Sequence, residues 1–485
     1  DMWKDYGIEA LITNSYVIWK HEHLKTKALA DGVHALLDYP GAIMTDSGTF
    51  QSYIYGDVEV GVEEIISFQR NIRVDIGTML DVFSRPDMDE NEVKYAVEET
   101  YNRAKTSIET AKGMMLNGPI QGGIFPDLRR KSALLMGEEP FTIHPIGGIV
   151  PIMEQHMYDK LAEIILETKP NLPAHRPTHL FGCGHPMLFP MAIALGIDLF
   201  DSAAYALFAR DDRLLCPWGT EKFDRMTEWP ITVPCVQSIT PKQVREMSKE
   251  KKTEILARFN LEVTLAELSR CRQAVRDGRI WDLAKRRSKQ HPALKKAWDF
   301  IENQQNQWII SSQNISNQGG WIYEHGSEKS DPRIIKSLQN LHHKWGHNDA
   351  EKLIIFYGTP SPWRMKLNEL ILKIRAMNEK VPILITTPIG LIPYGIEDLH
   401  PFAHIEAEDE IWTNPPKKEF IEQQLSALNI KPKNHLIADI NQENLLENIC
   451  DYLGEEIQKT AHRDVLFREQ LSDKMQLFFG VDLEE

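Results

Sequence analysis

Two short strings, MTDSGTFQ (Met44 to Gln51) and DLFDSAAYALFARDDR (Asp198 to Arg213), constrain this chain more than any other feature. Each is an apolar, strand-like run that ends on an aspartate and is followed at once by small residues. In a parallel α/β barrel the catalytic groups stand at the C-terminal ends of the strands, so Asp46 and Asp201 would share one pocket. Two carboxylates at one sugar are what glycosyl transfer with retention requires: one attacks the anomeric carbon and the other moves protons. Their proximity would raise the pKa of one of them, which suits a proton carrier. Either aspartate alone reads equally well as an N-cap at a strand-to-helix turn; the pair in its full context favours the pocket.

Alternating apolar strands and amphipathic stretches fill the first 205 residues, the pattern of a parallel barrel. The strand candidates are Ala10–Asn14, Ala42–Asp46, Asp75–Asp81, Gly118–Ile124, Ile143–Val150, Thr178–Gly184 and Asp198–Ala203, seven where a barrel of this class needs eight. Helical spacing follows from Val263, and the Asn-, Gln- and Ser-rich stretch Asn303 to Gly320 reads as a linker. A second α/β unit begins near Glu351, with strands KLIIFYG, PILITTP and HLIADI between helices near Met365–Asn378 and Lys417–Leu428. The expected organisation is α/β: a TIM (β/α)8-type barrel over residues 1–285, a helical and linker region over 286–350, a smaller α/β domain over 351–462 and a helical tail over 463–485.

The stretches ITNSY, MTDSGTFQ, DIGTMLD, PIQGGIFPDLRR, IGGIVP, HLFGCGHPM and LFDSAAYAL, in that order, resemble the catalytic domain of archaeal tRNA-guanine transglycosylases from about Ala10 to Leu283. The resemblance implies exchange of a D-arm guanine, at tRNA position 15, for a 7-deazaguanine. It assigns Asp201 as the nucleophile that attacks C1′ and Asp46 as general acid/base; residue type and spacing alone leave those two roles interchangeable. It implies that Asp81 takes the N1–H and 2-amino donors of the purine, and that Gln121 with the backbone N–H groups of Gly147 and Gly148 serves O6. Phe50 and Phe181 match positions that sandwich the base, and Ser47 a position beside it. Asp81 also reads as a helix cap, Gln121 as a satisfied core amide, and the two phenylalanines as plain core. Bacterial and eukaryotic relatives place a Gly-Glu pair after IGGIVP-type motifs; here the uncharged Val150 and Pro151 stand there, which fits the neutral nitrile of 7-cyano-7-deazaguanine.

The family's structural zinc needs three close cysteines and a downstream histidine, whereas this stretch has only Cys235, and Phe259 stands at the histidine's place. The expectation is no zinc and no other cofactor, with an apolar contact around Phe259 in its stead. The family also carries a leading segment that supplies the first strand, expected here from residues before Asp1, and a PUA domain after the helix that ends this sequence. Expected partners are therefore tRNA, the 7-cyano base, a separate PUA-domain protein docking on the tail and a second copy of this chain. The net charge of −15 argues that the chain alone grips RNA incompletely, without precluding a local basic patch. No apolar run is long enough for a membrane span, and five scattered cysteines fit a reducing cytoplasm. Two other readings compete: an archaeosine-synthase-like enzyme of a later step, against which Asp201 argues, and a non-catalytic RNA-binding subunit.

Overall fold

The computed structural model describes residues 2–49, 60–313, 321–324, 326, 329–344, 350–396, 405–430 and 434–454, in two compact units divided between Gln304 and Gln305. Phe50 and the tail 463–485 lie outside the described residues.

In the first unit, seven parallel strands follow one another in chain order: β1 (Ala10–Asn14), β2 (Ala42–Asp46), β3 (Ile76–Thr78), β4 (Met115–Asn117), β5 (His144–Ile146), β6 (Thr178–Leu180) and β7 (Leu199–Phe200). The Asn117–Ile143 and Ile120–Ile146 bridges join β4 to β5, so the ladder is continuous from β1 to β7. Gly118–Ile124, read above as a strand, is a correction: the strand precedes it, and the Gly122-Gly123 pair takes positive φ and leads the chain off the ladder. A flat sheet would hold β2 and β7 about 24 Å apart at roughly 4.8 Å per strand. Yet the Asp201 carboxylate after β7 stands close enough to repel Asp46 at the end of β2. The sheet therefore curls, and the strand ends converge.

Helices cover the outer face for local reasons. The helix Glu90–Ala111 starts in a capping box, with Asp89 accepting from the N–H groups of Asn91 and Glu92 while Glu92 accepts from that of Asp89. The helix Val62–Asn71 is stitched down by a fully buried amide: Gln69 Oε1 accepts from Thr45 Oγ1 and Thr78 N, and its Nε2 donates to the Ile65 and Thr78 carbonyls. Further on, helices Ile280–Ser288 and Pro292–Gln304 pack against Phe189–Ala194 and Tyr158–Thr168, so residues 286–304 belong to the first unit's helical layer. A β-hairpin, β8 (Arg213–Cys216) with β9 (Gly219–Lys222), went unread because its strands are short and polar on one side.

In the second unit the strand Lys352–Tyr357 pairs in parallel with Ile383–Thr387 and Asn434–Asp439, and Gly390–Pro393 adds antiparallel. Ile354 and Phe356 belong to one buried cluster and Leu353 and Ile355 to another, as the two-residue period of a strand covered on both faces dictates. The polar stretch after Asn303 is not all linker, because Asn306 caps a helix at Gln307–Ser312.

The segment that follows the hairpin is pinned by aromatic rings. Trp229 stacks on Phe259 at 5.4 Å and on Phe223 at 5.6 Å, and its indole N–H donates to the Ile239 carbonyl. Residues suited to a tetrahedral zinc are not gathered here: among the described residues no cluster of three or more His, Cys, Asp or Glu could hold a metal. Burial and the neighbouring Glu262 push the Cys235 thiol up to about 12. The stack should therefore carry the stability. Phe259→Ala should cost about 3–5 kcal/mol in denaturant unfolding, while chelators leave the wild-type melting temperature unchanged and metal analysis finds well below one zinc per chain. Stoichiometric zinc with Cys235 among its ligands would refute this.

Candidate active site

Register places the first carboxylate. Asn14 and Asp46 are partners across β1 and β2, and Asn14 Nδ2 donates to Asp46 Oδ2 at 3.1 Å. The same amide's oxygen caps the helix Ser15–Lys20 by accepting from Val17 N–H. Asp46 also accepts from the Gly48 N–H, and the Ser15 hydroxyl donates to the Asp46 carbonyl at 2.6 Å. Its pKa is pushed up to about 7, first by burial and then by repulsion from Asp81 and Asp201, against backbone donors that pull the other way.

Asp81 follows β3 and is 8% exposed. Burial raises its pKa, and hydrogen bonds from Thr49 and Gln121 oppose the rise. The Gln121 amide has a fixed orientation. Ser84 N–H can only donate and meets Oε1 at 3.1 Å, with the Ser84 hydroxyl at 2.6 Å, so Nε2 faces Asp81 Oδ2 and donates to it. Ser47 is fully buried, with its hydroxyl engaged with Thr49, whose own hydroxyl reaches the Asp81 carbonyl.

The loop after β5 closes over this pair. A Cβ on Gly147 would stand 2.4 Å from Gln121 Nε2, and one on Gly148, at φ +71°, would stand 2.5 Å from the Ser84 carbonyl. No larger residue fits either place. The Gly147 N–H, expected to serve a ligand, is spent on the Ile120 carbonyl at 3.0 Å; Gly148 N–H has no acceptor among the described residues. Val150 and Pro151 open the next short helix, and Val150 lies against Gly182.

Asp201 sits just past β7 with its side chain 21% exposed. Its Oδ1 accepts from Gly182 N–H at 2.8 Å, and His179 Nε2 lies 2.9 Å from the same oxygen. The His179 ring nitrogens make no well-directed hydrogen bond, so this is close contact rather than a formed one. The ring packs edge-on against Phe181 at 4.7 Å, which places Phe181 beside the Asp201 end of the pocket.

Asn14, Ser84, His179 and Arg129 escaped the sequence reading. Arg129 is fully buried, and burial pushes its guanidinium down to about 9. It donates to the carbonyls of Gly123, Ile120 and Gly147, tying three turns of the pocket wall. A signal existed: Arg129 shares the i, i+3, i+4, i+7 row of its helix with buried Ser132, Ala133 and Met136. The structure thus brings Asp46, Asp81 and Asp201 into one field and joins Asp81 to Gln121 and Gly147.

The fold and site define an α/β protein with a cluster of carboxylates at the ends of parallel strands. A family model described as "TGT: Queuine tRNA-ribosyltransferase" matches residues 1–293. Over 449 residues, 91% of this chain and 67% of the other, the sequence is 38% identical to the tRNA-guanine(15) transglycosylase of Methanocaldococcus jannaschii. Proteins of the same name from Thermococcus onnurineus and Methanococcus maripaludis are each 38% identical, covering 88% and 83% of this chain and 67% and 62% of their own lengths. The chain belongs to the queuine tRNA-ribosyltransferase family, and it spans 62–67% of the length of these relatives.

The raised Asp46 pKa has a measurable consequence. The folded protein holds the proton up to about pH 7 and the unfolded chain only to about 3.8. This carboxyl therefore contributes stability that is complete below about pH 4 and is lost as pH rises through 7. Asp46→Asn should remove that loss, raising the denaturant midpoint relative to wild type at pH 8 but much less at pH 5. Equal differences at the two pH values would show that Asp46 is not held protonated.

Proposed function

We propose that this chain is the catalytic portion of an archaeal-type tRNA-guanine(15) transglycosylase that inserts 7-cyano-7-deazaguanine through a covalent Asp201–ribose intermediate, and that its strands belong to a closed (β/α)8 barrel. The observation that carries the reading is the convergence of three carboxylates in which burial first, and then repulsion from the other two, pushes Asp46 up to about 7. Asp201 has one oxygen held by Gly182 and the other without a partner among the described residues, which suits attack on C1′ as the C1′–N9 bond breaks. Protonated Asp46 gives its proton to the leaving guanine. The resulting carboxylate takes the N9 proton of the incoming base, which attacks C1′ and breaks the ester to Asp201. Two inversions give net retention, and the carboxylate field stabilises the positive charge that develops on the sugar.

Asp81 would take the purine's donors, with Gln121 Nε2 and Gly148 N–H near its O6 edge. The uncharged wall at Val150 and Pro151 favours a nitrile over an ammonium group. Phe181 would stack on the base, together with Phe50. An RNA substrate, five free cysteines and the absence of any described helix long and apolar enough to cross a membrane favour a cytoplasmic setting.

The test is incorporation of radiolabelled guanine into archaeal tRNA by the full chain, with and without an added PUA-domain protein. Asp201→Ala should abolish incorporation and the denaturation-resistant RNA adduct. Asp46→Ala should still form adduct slowly while turnover fails. An Asp201→Ala chain that incorporates guanine at an appreciable rate overturns the mechanism.

A further inference from the structure

Between Arg270 and Lys296 the chain carries ten lysines and arginines against two aspartates, a local net charge of +8 in a protein of −15. These residues span the end of the helix Lys249–Arg276, the helix Ile280–Ser288 and the start of Pro292–Gln304. Acidic neighbours neutralise some of them: Arg287 forms a two-pronged pair with the buried Glu267, and Lys296 pairs with Asp159 at 2.7 Å. Arg272, Arg276 and Arg286 are exposed, and none has an ion-pair partner among the described residues. Arg270, Arg279 and Arg286 line a groove of about 320 Å³ between the first two helices.

The position of this ridge is as informative as its charge. His291, at the turn before Pro292–Gln304, lies 5.4 Å from the His156 ring and 5.9 Å from Tyr158. Those two residues follow the Gly147–Val150 loop that walls the pocket, and Asp159, the partner of Lys296, opens the next helix. The C-terminal part of the basic segment, at His291 and Lys296, thus stands beside the residues that follow the Gly147–Val150 loop.

We propose that this ridge is the surface on which the phosphate backbone of the substrate RNA lies while the target base enters the pocket. The proposal rests on the reading of tRNA as substrate. A pocket of carboxylates repels an approaching polyanion, so a separate cationic surface at its rim must supply the attraction. Unpaired guanidiniums do so without first breaking an ion pair, and each phosphate they neutralise releases counterions. A groove flanked by arginines also suits phosphate oxygens, which the planar guanidinium engages two at a time.

The test uses the full chain and compares wild type with the triple variants R272Q/R276Q/R286Q and R272K/R276K/R286K, with K94Q/K105Q as a control on another helix. Fluorescence anisotropy measures tRNA binding across a salt series, and the exchange assay gives KM and kcat. The glutamine triple should weaken tRNA binding at least tenfold and flatten the slope of log K against log salt by about 2–3. It should raise KM for tRNA while leaving kcat at saturating tRNA within about twofold. The lysine triple should stay near wild type, because charge is kept, and the control pair should change little. Unchanged affinity and salt slope in the glutamine triple overturn the ridge while leaving the transglycosylase reading intact, provided wild type exchanges the base. A lysine triple as weak as the glutamine triple also overturns it, since charge would then not be the cause. A wild-type chain that binds no tRNA overturns both.

Discussion

Crowding of three carboxylates at converging strand ends is the constraint on which the first unit depends. Burial sets the cost of ionising Asp46, and repulsion from Asp81 and Asp201 adds to it. Such a cluster survives only when directed donors offset the burial, and the fold supplies one set per carboxylate. The β1–β2 register brings Asn14 to Asp46, the turn after β4 brings Gln121 to Asp81, and the turn after β6 brings the Gly182 N–H to Asp201. A slip of one residue in β1 would turn Asn14 to the other face and leave Asp46 without its side-chain donor. Register, turn glycines and pocket chemistry are therefore one requirement.

Much of this was legible in residue order. Strands that end on Asp46 and Asp201 announce themselves as apolar runs broken by small residues, and six of the seven strand regions were located, although only short cores of them pair. The misreadings have physical causes. Gly118–Ile124 looks apolar enough for a strand, but positive-φ glycines end pairing, while the three-residue β4 just before it is too short to show a period. The helix at Gln307–Ser312 hides in polar composition because its start is set by a cap rather than by a hydrophobic stripe. The pKa of Asp46 was beyond reach in number, since it depends on how far the sheet curls. The commitment of Gly147 N–H to Ile120 was invisible as well, because a backbone donor carries no residue signature.

Net charge misleads for a related reason. Charges on a surface act within a Debye length of roughly 8 Å at physiological salt, so a chain of −15 can present an acid pocket and a basic ridge as separate fields. The sum over the sequence describes neither. What matters is which helices carry the charges and at which end of the strands they stand.

Under the proposed reading of Asp81 as the residue that receives the base, the same site also bears on selectivity. Asp81 is buried with a raised pKa, and Gln121 Nε2 already occupies one of its oxygens. Gln121 cannot turn away, because Ser84 holds Oε1 from two sides and any side chain at position 147 would collide with Nε2. A base that offers donors to the remaining Asp81 lone pairs stabilises its ionised form. A base without such donors leaves a buried carboxylate facing an apolar edge, at a cost of roughly 1–3 kcal/mol or more for the missing hydrogen bonds. Under the proposed role of Asp81, guanine's adjacent N1–H and 2-amino donors set it apart from adenine, whose N1 is an acceptor. Arg129 keeps that penalty strict by tying Gly123, Ile120 and Gly147 into one rigid wall, so the pocket cannot relax around a poorly matched ring.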